Sequence, residues 1–321
     1  MWNKSLLESV GNTPLVKLNK VNGKGTILAK LEFLNPGFSI KSRTAFYILN
    51  KAEKSGKLKP GATIIDSSGG NTAIGMGIYG SIKGYKVKVT ANDTISPQKY
   101  SLLKSLGVDV VLCPSDVPPD SPKSAYLTAR ALAESVANSF FLDQFNNPDN
   151  PSAHYETTGP EIWEQTEHRV DYLVAGMGTG GTISGIAKFL KEKNPGVKVI
   201  GVDPVGSVYY EYFKSKKLVE VTGGEDIEGI GSNRICKVIN FDIIDDVIRV
   251  KDKDAFLMAR RLMREESICS GGSAGAAVWA ATETAKKLDT NKIIVVILPD
   301  TGRNYLSTIF NDEWMKGKGF L

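Results

Sequence analysis

Short apolar runs alternate with helix-length stretches along most of the chain, and this alternation constrains the fold more than any other feature. The predicted strands cover Thr26–Leu31, Thr63–Asp66, Lys86–Ala91, Val108–Cys113, Tyr172–Ala175, Lys198–Val202 and Lys292–Leu298. The predicted helices include Thr72–Lys83, Ser96–Leu106, Ser121–Asn138, Ile183–Lys193 and Asp254–Glu266. Such alternation predicts parallel sheets covered by helices. The 321 residues suffice for two sheets, so we expect an α/β protein with two parallel-sheet-based domains.

Composition excludes several classes of function. The net charge of +5 is spread along the chain without a run of five like charges, so we expect no nucleic-acid partner. No apolar run approaches the roughly 18 residues of a membrane span, and Met1–Gly11 lacks a signal-peptide core. Cys113, Cys236 and Cys269 have no metal-ligand spacing. We therefore expect a cytoplasmic protein with reduced thiols, no metal and no membrane association.

A lysine lies at a predicted corner between a strand and a helix. Lys41 follows the Pro36-Gly37 turn and the strand-like run Ile27–Leu34, and it precedes a helical pattern over Thr44–Lys54. A helix N-terminus lowers the cost of a neutral amine, and such a lysine can form a Schiff base. The alternative is an ordinary solvated lysine at a helix start.

A glycine-rich corner follows the strand-like run at Tyr172. The segment Gly176–Thr182 precedes a predicted helix, and its backbone N–H groups and threonine hydroxyls suit a phosphate. It also matches the dinucleotide pattern Gly-x-Gly-x-x-Gly, and Asp203 lies where such a fold uses an acidic residue on the ribose. Phosphate monoester binding, nicotinamide cofactor binding and a purely structural turn all remain open at this point.

Two further corners carry short polar residues. In Ile64–Ala73, the hydroxyl and amide side chains around Gly69-Gly70 suit either a substrate carboxylate or a helix N-cap. In Ser270–Gly275, Ser273 lies in a Gly-x-Ser-x-Gly sequence typical of serine hydrolases. The hydrolase order requires a histidine downstream of the serine, whereas His154 and His168 both lie upstream.

Together these corners resemble the cysteine synthase / cystathionine β-synthase family of fold type II pyridoxal-phosphate enzymes, from Gly11-Asn12-Thr13-Pro14-Leu15 to the C-terminus. The segments most similar to the cystathionine β-synthase catalytic core are Leu142–Phe145, Asn150–Thr158, Glu228–Gly231, Ile297–Tyr305 and Trp314–Leu321. The resemblance implies the tryptophan synthase β-subunit-like architecture with its active site in a cleft between the domains. It also implies a smaller, mobile substrate-binding domain over 37–140 and a larger cofactor-binding domain over 1–36 plus 141–321.

The resemblance implies pyridoxal 5′-phosphate as cofactor and assigns roles to matching residues. Lys41 would be the catalytic lysine that forms the internal aldimine, Asn71 would bond the 3′-oxygen of the cofactor, and Ser273 would face its ring nitrogen. The phosphate would be held by Gly178, Thr179, Gly180, Gly181 and Thr182. The substrate carboxylate would be held by Ser68, Gly69, Asn71, Thr72 and Gln144. A neutral serine at the ring nitrogen should favour loss of a β-substituent over transamination.

The implied activity is β-replacement in cysteine biosynthesis or transsulfuration, by an enzyme of the lyase or transferase type. Serine, O-acetylserine, O-phosphoserine or cysteine would react with a thiol or sulfide through an aminoacrylate. Alternatives are cysteine β-replacement that yields lanthionine and hydrogen sulfide, a diverged synthase of non-sulfur β-substituted alanines, and a non-catalytic relative. The family also implies a homodimer. The chain lacks the haem segment and the regulatory tandem domain of some relatives, so we expect constitutive activity without haem.

Several residues depart from the family pattern. Ser42 replaces the aspartate after the lysine, Phe38 replaces a small residue before it, and Gly69 replaces a serine of the carboxylate turn. Ser232 stands where the cystathionine enzyme usually has tyrosine. The region 223–234 would bind the second substrate through Asp226, Glu228 and Arg234, or would be a solvated loop.

Overall fold

The computed structural model describes residues 2–219 and 226–321. Its strands are β1 Leu15–Lys17, β2 Thr26–Leu31, β3 Thr63–Ser67, β4 Lys86–Asn92, β5 Asp109–Cys113, β6 Ser139–Phe141, β7 Tyr172–Gly176, β8 Lys198–Pro204, β9 Asp246–Val250 and β10 Ile293–Leu298. Its α-helices are α1 Lys41–Lys54, α2 Asn71–Lys83, α3 Pro97–Ser105, α4 Ala125–Ser135, α5 Asp149–Ala153, α6 Gly159–Gln165, α7 Gly181–Lys193, α8 Tyr209–Ser215, α9 Asp252–Glu266, α10 Gly272–Ala285 and α11 Asp312–Gly317. A π-helical turn over His154–Thr158 joins α5 to α6.

The apolar runs predicted the main strands well. The strand over Thr26–Leu31 has the predicted bounds, and the other six predicted strands differ by one or two residues at one end. The short strands β1, β6 and β9 were not predicted, because three to five residues carry too little pattern. The expected α/β class with two parallel-sheet-based units is confirmed.

Unit 1 comprises Met1–Val10 and Asn35–Asn150. Its four-stranded sheet has the order β5-β4-β3-β6, and every pair is parallel. Apolar residues from α1, α2 and the strands form its core, with Leu49, Ile64 and Met76 fully buried. Because β3 lies between β4 and β6, the segments that follow these three strands meet at one edge of the sheet.

Unit 2 comprises Gly11–Leu34 and Pro151–Leu321. Its six-stranded sheet has the order β1-β2-β10-β7-β8-β9, in which only the β1–β2 pair is antiparallel. The core lies between the sheet and the pair α9 and α10, and nearly all of α10 is buried. The carboxyl ends of β7 and β10 are adjacent, and the segments after them lead into α7 and the turn before α11.

Candidate active site

Lys41 is the first residue of α1, as the strand-to-helix corner predicted. Its backbone N–H donates to Ser39 Oγ at 3.3 Å, and the side chain is half-buried. The residue at the N-cap position is Ile40, whose side chain cannot cap the helix, and the Ser39 hydroxyl takes that place for the first N–H. Ser42 is buried, and its hydroxyl donates to the carbonyl of Pro36. The serine in place of aspartate therefore braces the turn that carries Lys41.

Phe38 adopts a left-handed backbone conformation with φ of 60°, and its side chain is 54% exposed. This conformation is unfavourable for a bulky L-residue, so the turn holds Phe38 there at an energetic cost. Gly37 is also left-handed, with φ of 78°, and a Cβ there would lie 3.0 Å from Ile78 Cδ1. The turn before Lys41 is thus determined by α2 packing as well as by its own sequence.

Gln144 is fixed by hydrogen bonds at the carboxyl edge of the unit 1 sheet. Its Oε1 accepts from the Thr72 hydroxyl at 2.7 Å, and its Nε2 donates to the Ser67 carbonyl at 3.1 Å. Its own carbonyl accepts from Asn150 Nδ2 at 2.7 Å. The structure therefore brings Thr72 and Gln144, which lie far apart in sequence, into direct contact. They form part of a polar turn suited to a carboxylate.

The start of α2 lies in the same turn. Gly70 occupies the N-cap position, and the Ser68 hydroxyl accepts from the Gly70 N–H at 3.3 Å rather than capping the helix. Asn71 is the first helical residue and is half-buried. The N-cap interpretation of the serine and asparagine is therefore wrong for α2. The positive end of this helix faces the turn without a capping side chain, as an anion site requires.

Gly69 is enclosed by apolar side chains. A Cβ at this position would lie 2.9 Å from Ala91 Cβ and 3.0 Å from Ile95 Cδ1. Both distances are below ordinary van der Waals contact. Residues 91 and 95 thus fill the space that a side chain at position 69 would need.

Asp66, at the end of β3, was not identified from the sequence. Its side chain is fully buried behind the carboxylate turn. Burial raises its pKa to about 8, although the backbone N–H groups of Ser67, Gln144 and Asp143 act in the opposite direction. These groups lie near the carboxyl, but within the described residues neither oxygen has a partner in hydrogen-bond geometry. Asp66 is therefore a neutral acid over much of the physiological pH range.

The glycine-rich loop lies between β7 and α7 in unit 2. Gly180 is left-handed with φ of 87°, and α7 begins at Gly181, whose N–H donates to Thr179 Oγ1 at 3.3 Å. Packing also demands glycines here: a Cβ on Gly178 would lie 2.5 Å from the Gly229 carbonyl, and one on Gly180 would lie 2.7 Å from Ile239 Cγ1. The glycines alone therefore do not prove an anion site. The other backbone N–H groups at the start of α7 and the hydroxyl protons of Thr179 and Thr182 indicate one.

Helix α8 and the segment that follows residue 225 both hydrogen-bond this loop. Gly231 N–H donates to the Met177 carbonyl at 2.7 Å. The Tyr209 hydroxyl donates to the Gly178 carbonyl at 2.6 Å and lies 3.2 Å from Cys236 Sγ. Burial raises the pKa of Tyr209, so its hydroxyl stays a donor. Neither Tyr209 nor Cys236 was predicted as a site residue, since nothing in a local pattern relates them to Gly178.

The three residues proposed for the second substrate have different surroundings. Asp226 pairs with Lys318 at 2.8 Å, Glu228 is exposed, and the Arg234 N–H donates to Ser232 Oγ at 3.1 Å. Residues 223–225 of the predicted region lie outside the described residues. A role in the second substrate's binding stays a prediction.

Ser273 lies in the first turn of α10 and is buried. The turn before it is set by the Asp300–Tyr305 pair, in which the Tyr305 hydroxyl donates to Asp300 Oδ2 at 2.7 Å. A Cβ on Gly271 would lie 2.6 Å from Tyr305 Cε2, so only glycine fits against this pair. The Asp300–Tyr305 pair thus determines the shape of the turn before Ser273. Local sequence patterns did not reveal this, because the two segments lie far apart in the chain.

The hydrolase interpretation of Ser273 finds no support in the positions of the histidines. The ring of His154 is hydrogen-bonded with Thr158 and Thr182, and the ring of His168 lies beside Glu164 at the surface.

The dinucleotide interpretation finds no support in the position of Asp203, the acidic residue that it requires. Asp203 is fully buried and accepts from the Tyr210 N–H at 2.8 Å, at the start of α8. Burial raises its pKa to about 6, and its carboxyl is engaged by the protein rather than presented to a ribose.

Metal-binding clusters and membrane-spanning helices are both absent from the described residues. Across 2–219 and 226–321, no group of three or more His, Cys, Asp or Glu residues is arranged to hold a metal ion. In the same part of the chain, no helix has the length and apolar character that crossing a membrane requires.

Comparison with known proteins assigns the chain to a family. The sequence pattern of the family described as "Pyridoxal-phosphate dependent enzyme" matches residues 6–300. Cystathionine beta-synthase of Apis mellifera is 43% identical over 320 residues, which are 98% of this chain and 63% of the relative. Cystathionine beta-synthase of Saccharomyces cerevisiae is 39% identical over 97% of this chain and 64% of its own length. Cysteine synthase 1 of Emericella nidulans is 40% identical over 98% of this chain and 86% of its own length.

These matches confirm the resemblance drawn from the glycine-rich corners. The chain spans only 57 to 64% of the length of the cystathionine beta-synthases that it matches. The start of α7 with its backbone N–H groups and threonine hydroxyls agrees with the phosphate group for which the matched family is named. The chain therefore belongs to the family of pyridoxal-phosphate dependent enzymes.

Proposed function

We propose that the chain catalyses β-replacement on an amino acid with a leaving group at Cβ. The donor is serine, O-acetylserine, O-phosphoserine or cysteine, and the incoming nucleophile is a thiol or sulfide. This is the activity of a cystathionine β-synthase or a cysteine synthase. The observation that carries the proposal is that relatives with both names match nearly the whole chain at 40% identity or more.

The residues present fit pyridoxal 5′-phosphate at its phosphate end. A phosphate monoester is a hydrogen-bond acceptor with nearly two negative charges at neutral pH, and it needs donors and positive potential. The start of α7 supplies backbone N–H groups and the helix dipole, and Thr179 and Thr182 supply hydroxyls. We propose Gly178, Thr179, Gly180, Gly181 and Thr182 as the phosphate-binding residues. When bound, the cofactor supplies an electron sink for the substrate's α-carbon.

The chain's own residues would perform the remaining tasks. Lys41 would hold the cofactor covalently through Nζ, then take the α-proton of the donor amino acid and return it after addition of the nucleophile. Asn71 would hydrogen-bond the 3′-oxygen of the cofactor. The substrate carboxylate would be bound by Ser68, Gly69, Asn71 and Thr72 of the turn after β3, together with Gln144 after β6.

The Thr72–Gln144 hydrogen bond supports the assignment of this turn. It fixes the orientation of the Gln144 amide before any substrate arrives, which reduces the entropic cost of binding. Because this bond uses the single proton of the Thr72 hydroxyl, Thr72 would offer the carboxylate its backbone N–H in the first turn of α2. Ser273 would contact the ring nitrogen with a neutral hydroxyl, and this disfavours transamination relative to loss of a β-substituent.

We also propose a homodimer that works without haem. The dimer is carried over from the family alone, and sedimentation equilibrium of the purified protein would test it. An absorption spectrum free of a haem band in fully active protein would support the proposal that the protein works without haem. A cytoplasmic location remains a prediction, with which the three unpaired thiols of Cys113, Cys236 and Cys269 agree.

The donor and nucleophile can be identified by one panel. Each of the four donors is incubated with sulfide, homocysteine and cysteine, and the products are identified by mass. Cystathionine, cysteine and lanthionine distinguish the proposed activities, and release of hydrogen sulfide from cysteine marks cysteine as the donor. A protein that binds the cofactor and yields none of these products would contradict β-replacement with sulfur nucleophiles.

A matched pair of lysine variants tests the site itself. Lys41→Ala should lose turnover and the visible absorption of covalently held cofactor. Lys54→Ala serves as the control, because Lys54 is an exposed lysine at the other end of α1. Equal loss in both variants, or full activity in Lys41→Ala, would remove Lys41 from its proposed role.

A further inference from the structure

His154 is a fully buried histidine beside the predicted phosphate loop. Its Nδ1 lies 3.0 Å from Thr158 Oγ1, and its Nε2 lies 3.2 Å from Thr182 Oγ1. His154 and Thr158 are the two ends of the π-helical turn, a distortion that frequently occurs at functional sites. The ring thus connects this turn with the first turn of α7.

Close packing holds the ring in this place. A Cβ on Gly185 would lie 2.8 Å from His154 Cβ and would collide with the Pro151 carbonyl. Helix α7 therefore lies directly against the segment that carries His154. The ring and Thr158 have no exposed surface, so the hydrogen bond between them is shielded from water.

The direction of the two hydrogen bonds determines what Thr182 can offer an anion. A neutral imidazole has one N–H donor and one acceptor nitrogen, and a threonine hydroxyl has a single proton. If Nε2 carries the proton, it donates to Thr182 Oγ1, and the Thr182 proton is free for the phosphate. If Nδ1 carries the proton, Thr182 donates to Nε2 and has no proton left for an anion.

Thr158 favours the first arrangement. It is fully buried, and within the described residues Nδ1 is the only hydrogen-bond partner of its hydroxyl. If the hydroxyl accepted from Nδ1–H, its own proton would be a buried donor without an acceptor, which is costly. If it donates to Nδ1, only lone pairs remain unused, and this costs less.

We propose that His154, as its Nε2–H tautomer fixed by Thr158, is a positioning residue that turns the Thr182 hydroxyl toward the cofactor phosphate. The inference rests on the proposed phosphate site at residues 178–182. It adds two residues outside the loop, His154 and Thr158, whose contribution is orientation rather than contact with the phosphate.

The tautomer can be measured on unaltered protein. Long-range ¹H–¹⁵N correlation spectra distinguish a protonated Nε2 from a protonated Nδ1. The chain has only two histidines, so a His168→Asn variant assigns the signals of His154. A protonated Nε2 in both cofactor-free and cofactor-loaded protein is expected. A neutral ring with the proton on Nδ1 would overturn the proposal without any need for a variant.

Variants of Thr158 test the consequence. Thr158→Val removes the proton donor at nearly constant shape, and Thr158→Ser retains it. We expect Thr158→Val to bind pyridoxal 5′-phosphate about ten- to a hundredfold more weakly, as for one hydrogen bond to a charged group, and Thr158→Ser to bind it nearly as well as the parent. The phosphorus NMR signal of the bound phosphate should shift in Thr158→Val alone.

Pyridoxal without the phosphate is the control ligand. An effect on phosphate binding should leave pyridoxal affinity unchanged, whereas general damage to the fold should weaken both ligands equally. His154→Gln, which can keep an N–H near the Nε2 position, should retain more affinity than His154→Asn. Equal weakening for both ligands would overturn the proposal. Failure of the parent protein to bind pyridoxal 5′-phosphate would instead refute the proposed function.

Discussion

The tight packing around Gly69 predicts that restoring the family's serine will destabilise the protein. Ala91 Cβ and Ile95 Cδ1 lie 2.9 and 3.0 Å from the position of a Cβ on residue 69. Ala91 cannot move easily, because it lies in β4 and is paired with Leu112 of β5. Ile95 follows β4 and is half-buried, so the end of its side chain can rotate away. Gly69→Ser therefore forces Ile95 out of its present position.

The size of the stability loss in Gly69→Ser follows from these contacts. Overpacking a closed site costs about 1–3 kcal/mol, and loss of glycine's freedom in the unfolded chain returns about 0.4–1 kcal/mol. The expected net loss is roughly 1–2 kcal/mol, or a Tm lower by about 3–8 °C for a unit of this size. In an Ile95→Ala background the same serine should cost less by about 0.5–1.5 kcal/mol, since one of the two contacts is gone.

The assay is a double-mutant cycle of thermal and urea unfolding on the cofactor-loaded protein. Gly70→Ser is the matched control for stability, because no atom lies within 4 Å of a Cβ built on Gly70. A Gly69→Ser variant as stable as the parent would refute the packing argument. The packing argument would also fail if Gly69→Ser lowered the stability of the Ile95→Ala protein as much as it lowers that of the parent.

Two further predictions concern groups that the sequence did not reveal. Burial raises the pKa of Asp66 to about 8, so between pH 4 and 8 the native state keeps a proton that the unfolded state has lost. Stability should therefore fall as pH rises through this window, by up to about 1.4 kcal/mol per pH unit. Asp66→Asn should flatten this slope in urea unfolding, and an unchanged slope would contradict the assignment. Tyr209→Phe removes the hydroxyl that donates to the Gly178 carbonyl. It should lower stability by about 1 kcal/mol and weaken cofactor binding several-fold, and an unchanged dissociation constant would show that this hydrogen bond does not shape the loop.

Local patterns were sufficient for the elements on which the site is built. The apolar run at residues 26–31 predicted the bounds of β2, and the lysine after Pro36-Gly37 was correctly placed at a helix start. The helical pattern was predicted from Thr44, whereas α1 begins three residues earlier, at Lys41. Both features depend on neighbours in sequence. The corner at 176–182 was placed before a helix from Ile183, and α7 begins two residues earlier, at Gly181.

Interactions over long sequence distances were not predictable in the same way. The contact between Thr72 and Gln144 depends on β3 and β6 being neighbours in one sheet, and β6 was too short to be recognised. Tyr209 donates a hydrogen bond to Gly178, and Ile95 fills the space beside Gly69. In both pairs the two residues share no local sequence pattern.

The sequence by itself therefore determined the fold class, the family and the residue types at each corner, because periodicity and turn chemistry act between residues close in the chain. The tertiary structure decided which hydroxyls and amides are already paired, which glycines are required by packing, and that Asp66 is buried as a neutral acid. The physical reason is that burial and hydrogen-bond satisfaction are properties of a packed environment. That environment is assembled from segments that lie far apart in the chain.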